Sequence, residues 1–126
     1  MLLDLDQLEV TARSLGFEHV RPTDEVLNVT LVDNIVLTFV NSPVSSDNSI
    51  GFESSDWHFH DVLWLSDQFG ELIGWEPQDV LRGLKSGELR VLQRRLNRER
   101  VQLWIDTETV IAEQHVEGVE QIKVQP

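Results

Sequence analysis

The stretch Trp57-His58-Phe59-His60-Asp61 holds the residue types best suited to chemistry in this chain. On a strand, residues two apart project from one face, about 6–7 Å apart along the chain. His58 and His60 can then share a metal ion, with Asp61 or a distant carboxylate beside them, since neutral imidazole is the commonest transition-metal ligand. A catalytic zinc site uses three protein ligands, however, and no third is identifiable here. His19 and His115 lie far away in sequence, with no spacing to recommend them. The leading reading is that the two histidines pack beside Trp57 and bind no metal or other cofactor. The alternative is a metal-dependent enzyme centred on His58 and His60 with Asp61.

Other catalytic constellations are missing. The seven glycines are scattered and form no phosphate-binding loop, and there is no Gly-x-Ser-x-Gly elbow. The absence of cysteine rules out disulfides, thiolate nucleophiles and cysteine-ligated metal, and is compatible with a reducing compartment. The expectation is a binding protein rather than an enzyme.

Charge carries more information. Ten Lys and Arg stand against 22 Asp and Glu, a formal net charge of −12. Residues 1–61 hold 11 acids and 2 bases, whereas residues 62–105 hold 6 acids and 7 bases. Such a field repels nucleic-acid phosphates and anionic lipid and attracts basic proteins. The acid-rich half therefore offers a candidate partner-binding surface made of Asp24, Glu25, Asp33, Asp47, Glu53, Asp56 and Asp61, with Trp57 as an anchor. The basic cluster Arg90, Arg94, Arg95, Arg98 and Arg100 is expected to form ion pairs with the acidic half, or across a dimer, rather than to bind nucleic acid.

These residues need a scaffold, and local patterns supply one. Leu5, Leu8, Ala12 and Leu15 recur at helical spacing, which predicts a helix over 4–15 that Gly16 stops. Val26, Asn28, Thr30 and Val32 alternate with Leu27, Val29 and Leu31, and Asp33-Asn34 is a plausible turn, so 26–40 reads as a hairpin. Residues 41–48 read as a loop and 50–52 as a short strand. A second hairpin pairs 62–65 with 71–75 around Ser66–Gly70. Pro77 to Ser86 is a helix that Gly87 ends. A third hairpin covers 88–106, its first arm also open to a helical reading. A short helix over 107–115 and a strand over 119–124 complete the chain.

The sum is a single α+β domain of 126 residues: an antiparallel sheet of six or seven strands with two or three helices packed on it as one pair of layers. Met1 to Asp6 lacks the basic and apolar regions of a signal peptide, and no apolar run approaches the roughly 20 residues of a membrane span. A cytoplasmic location is expected. The functional expectation is an acidic inhibitor, such as an immunity-type protein that neutralises a basic toxin or nuclease. The alternatives are the metal enzyme and a structural or regulatory subunit that dimerises through a strand edge.

Overall fold

The computed structural model describes residues 1–53, 55–107, 119–122 and 124. The first helix, α1 (Leu5–Ser14), starts at Asp4, whose carboxylate accepts the Gln7 amide hydrogen at 3.1 Å. Its Leu5, Leu8, Thr11 and Ala12 turn inward and are buried. The second, α2 (Pro77–Ser86), places proline in its first turn and ends on Gly87, at φ 90°. Only glycine adopts that left-handed geometry without strain, so the stop is written into the residue.

A five-stranded antiparallel sheet forms from β1 (Glu18–Thr23), β2 (Val26–Val32), β3 (Ile35–Ser42), β4 (Asp47–Phe52) and β5 (His58–Phe59), in that order across the sheet. The alternation of β2 and β3 translates directly into two faces. Leu27 pairs with Phe39 and Val29 with Leu37, and all four are fully buried. Val26, Asn28, Val40 and Thr38 lie on the opposite, half-exposed face. The turn between β2 and β3 is Asp33-Asn34, as expected, with Asp33 at φ 42°.

The hairpin of β6 (Leu63–Ser66) and β7 (Leu72–Trp75) forms a two-stranded sheet of its own. Asp67 holds its turn by accepting the amide hydrogens of Phe69 and Glu71 at 2.8 and 2.9 Å. The last sheet has the order β10 (Val119–Ile122), β8 (Leu89–Leu96), β9 (Glu99–Thr107), so residues 89–96 are strand and not helix. The turn joining β8 to β9 is Asn97-Arg98, both at positive φ. One hydrophobic cluster runs from Leu5 and Leu8 through Leu37, Phe39 and Ile50 to Leu81, Val91 and Ile105.

The α+β class with mainly antiparallel pairing and two helices agrees with expectation. The strand count does not: among the described residues there are ten strands in three sheets, instead of six or seven in one. Strands β1 (Glu18–Thr23) and β5 (His58–Phe59) have no counterpart among the expected strands, and the expected loop over 41–48 is shorter than the sequence suggests. Residues 18–23 form an edge strand, and the polar and proline content that hides β1 in the sequence is what a sheet edge tolerates. Residues 41–48 are not all loop. Asn41 pairs with Asn48 and Ser42 with Asp47, which leaves only Pro43–Ser46 to turn. The polar side chains are accommodated by specific partners: Asn41 exchanges two hydrogen bonds with the Leu3 backbone, at 2.7 and 2.9 Å. The expected helix over 107–115 lies, beyond Thr107, outside the described residues. No helix among the described residues is long and apolar enough to cross a membrane.

Asp106, near the end of β9, gives the fold a pH dependence. Burial raises its carboxyl above the ordinary range, against a smaller opposing effect of the Thr107 amide, which donates to Oδ1 at 2.8 Å. An acid whose pKa is higher folded than unfolded costs nothing below its unfolded value of about 4 and carries its full cost above the folded value. Asp106→Asn keeps an acceptor for Thr107 and removes that charge. Its melting temperature is expected to exceed that of the parent at pH 7, with the gain vanishing near pH 3 (about one unit below the unfolded value). An equal difference at both pH values in thermal melts refutes the assignment.

Candidate functional site

The half-exposed face of the five-stranded sheet is not flat. Reading straight across it, Val20 pairs with Asn28, Asn28 with Thr38, Thr38 with Gly51 and Gly51 with His58. This row has a gap in its side chains at Gly51. A Cβ there would sit 2.8 Å from the Trp57 carbonyl oxygen and 3.0 Å from His58 Cβ, so the close approach of β5 excludes every larger residue. The gap opens into a shallow groove of about 650 Å³. Asn28, Thr38 and Ser49 supply its polar floor, and Val26 and Val40 an apolar wall. Glu53, Asp56 and Trp57 close it on the side of the β4–β5 connection.

That connection is held by one hydroxyl. Ser55 Oγ accepts the Leu103 amide hydrogen at 3.0 Å and donates to the Leu103 carbonyl at 3.0 Å, pairing the loop with the edge of β9 as a strand would. Trp57 then packs between Phe52 and Phe59, with ring centroids 5.9 and 5.7 Å away. The partner-facing anchor expected at Trp57 is thus half-buried, seated against the core and lining the groove at the same time. Of the other tryptophans, Trp64 is exposed, while Trp75 and Trp104 are half-buried.

His58 and His60 do come together, with ring centroids 5.1 Å apart and edge to face. Each ring already has a backbone partner at Nδ1: the Asp56 carbonyl for His58 at 2.9 Å and the Asn48 carbonyl for His60. Asp61 turns elsewhere. Its Oδ1 accepts from Asn48 Nδ2 at 2.5 Å, and its amide donates back to Asn48 Oδ1 at 2.9 Å. Among the described residues no group of three or more His, Asp or Glu is placed to hold a metal ion. Asn48 is itself buried and also binds the Met1 carbonyl at 2.7 Å, so the His60–Asp61 corner is bound into a structural knot.

The seven candidate carboxylates fall into two groups. Asp24, Glu25, Asp47 and Asp61 gather at the end of the sheet that carries the β1–β2 and β3–β4 turns. Asp33, Glu53 and Asp56 lie towards the opposite end, the last two beside the groove. His60 approaches Asp47 at 3.7 Å. Among the described residues none of the seven forms an ion pair with lysine or arginine. Arg21 is engaged with α1 instead. Its hydrogen bond to Asp6, at 2.9 Å, and the charge of Glu9 raise its pKa against the opposing effect of burial.

The arginine cluster does not meet the acidic half in the way the charge pattern suggests. Arg95 approaches Glu120 of β10 at 4.0 Å, Arg100 donates to Gln93 at 3.1 Å, and Arg90 donates to the Gly87 carbonyl at 3.0 Å. These partners belong to the three-stranded sheet or its approach. The cause is topological: β8 lies between β10 and β9, which places Arg95 beside Glu120 and Arg100 beside Gln93.

Comparison with protein-family models, with curated proteins and with solved structures finds no match. The functional reading accordingly rests on the groove and the charges around it. The groove floor was not singled out from the sequence, although the alternation of Val26, Asn28, Thr30 and Val32 placed Asn28 on a shared face. Ser55 carried no signal, since its partner is 48 residues away.

If the Ser55 hydroxyl clasps the loop to β9, Ser55→Ala leaves two backbone groups of the buried Leu103 without that partner. A loss of roughly 1–3 kcal/mol is expected in urea unfolding. Amide resonances of Gly51 and Trp57 are expected to shift as the loop relaxes. An unchanged unfolding midpoint and an unchanged spectrum refute the clasp.

Proposed function

We propose that this chain is an acidic binding protein that captures a basic protein partner, acting as an inhibitor of the immunity type that neutralises a basic toxin or nuclease. One observation carries the reading. The carboxylates Asp24, Glu25, Asp33, Asp47, Glu53, Asp56 and Asp61 form no ion pair with lysine or arginine among the described residues, although seven bases stand in residues 62–105 of the same chain. A chain that used acidity for folding would bring the two sets together. Here Arg95 and Arg100 are engaged within the three-stranded sheet, and the acids are left to attract something else.

The physics of such capture is well defined. A net charge of −12 steers a basic protein towards the sheet and raises the association rate at low salt. The two acidic groups then fix orientation, because a partner must match both ends of the sheet. Binding that closes over Trp57 and the groove desolvates the apolar wall of Val26 and Val40 and supplies the non-polar part of the affinity.

Two measurements bear on this reading. In the free protein, like charges at each end repel, so the melting temperature is expected to rise as salt increases towards about 0.15 M, where screening acts within about 8 Å. Asp24→Asn with Glu25→Gln, and separately Glu53→Gln with Asp56→Asn, are expected to raise it without salt. In cells, a basic toxin encoded beside this gene is expected to be tolerated when the chain is co-expressed, and less so with either double variant. A melting temperature indifferent to salt and to both double variants, with no protection in cells, defeats the proposal.

A further inference from the structure

We propose that the groove over Gly51 is a receptor for one arginine side chain presented by the partner; the site deepens the capture reading and rests on it. The groove has the chemistry of an acceptor for a group that only donates. Thr38 Oγ1 spends its hydrogen on Asn28 Oδ1 at 2.9 Å, which leaves lone pairs of both oxygens available. Ser49 adds a third oxygen, and Glu53 and Asp56 bring negative charge to the rim. The Asp56 carbonyl can only accept, so His58 Nδ1 faces it as a donor at 2.9 Å, and in the neutral ring Nε2 is then an acceptor. Among the described residues no lysine or arginine lines the groove.

Shape selects among cations. Asn28 Oδ1 and Thr38 Oγ1 stand 2.9 Å apart, and Ser49 lies on the next strand, about 4.8 Å further across, so the oxygens form a row longer than one compact ammonium group covers. A guanidinium presents five donors in a planar fork, has no acceptor, and reaches two such oxygens at once. Its three methylenes need an apolar wall, which the Val26–Val40 pair provides. The gap itself is enforced, because the Trp57 carbonyl permits no side chain at position 51. An anion here meets the Glu53 and Asp56 carboxylates at the rim, whose charge repels phosphate.

The test uses the full chain, labelled with nitrogen-15, and two probes: N-acetyl-arginine methylamide and its lysine counterpart. The arginine probe is expected to shift the amide resonances of Thr38, Gly51 and His58 saturably at about 0.15 M salt, with the lysine probe several-fold weaker. Glu53→Gln with Asp56→Asn is expected to weaken the arginine probe about tenfold, equivalent to about 1.4 kcal/mol. Thr38→Val, which keeps the shape of a strand residue, is expected to weaken it without altering the rest of the spectrum. Glu71→Gln on the β6–β7 hairpin leaves it unchanged. Equal, salt-labile responses to both probes overturn the arginine receptor. So do shifts confined to residues 24–25 and 47, or no shifts at all. If protection in cells still depends on Asp24 and Glu25 while the groove ignores arginine, the receptor falls and the capture reading stands.

Discussion

The Ser55–Leu103 clasp is the contact on which the functional face depends. A sheet edge exposes backbone donors and acceptors that must be paired or covered. One hydroxyl covers a donor and an acceptor of β9 together, and in doing so it fixes where the β4–β5 connection runs. That course brings the Trp57 carbonyl over β4, which in turn dictates glycine at 51 and leaves a dip in an otherwise filled row of side chains. The groove is therefore a by-product of joining two sheets, and its shape is as rigid as that join.

Electrostatics follows the same division. Arg95 and Arg100 find an acidic and a neutral neighbour inside their own sheet, and Arg21 is taken up by α1. What remains around the five-stranded sheet is a set of turns and connections rich in carboxylates, because turns are where aspartate is well tolerated and where side chains are most exposed. The cost is mutual repulsion. The gain is a surface with a preference for one sign of charge.

Much of this architecture is legible in residue order, and the exceptions are instructive. Asp4, Gly16, Pro77 and Gly87 punctuate both helices, and the strict alternation of 26–40 defines the central hairpin. Strand β1 escapes notice because an edge strand buries little, so Glu18, His19, Arg21 and Pro22 carry no apolar period. The ends of β3 and β4 look like loop because Asn41 and Asn48 spend their side chains on the first residues of the chain, a long-range use of polarity that no local window detects. Sequence pattern identified Trp57, Glu53 and Asp56 as a candidate surface, but gathered them with Asp24 and Asp47, which lie at the other end. Strand direction decides such neighbourhoods, and direction is a property of the whole sheet.

The β6–β7 hairpin has a different consequence. Among the described residues its two strands pair only with each other, its turn is tied by one aspartate, and Phe69 at the tip is 81% exposed while Leu63 at the base is buried. A ribbon fastened at one end loses little burial when its free end opens. Local opening at the tip near Phe69 therefore uncovers little apolar surface, whereas opening at Leu63 uncovers core. The molecule thus joins a sheet face pinned by a long-range clasp to a hairpin held mainly at its base.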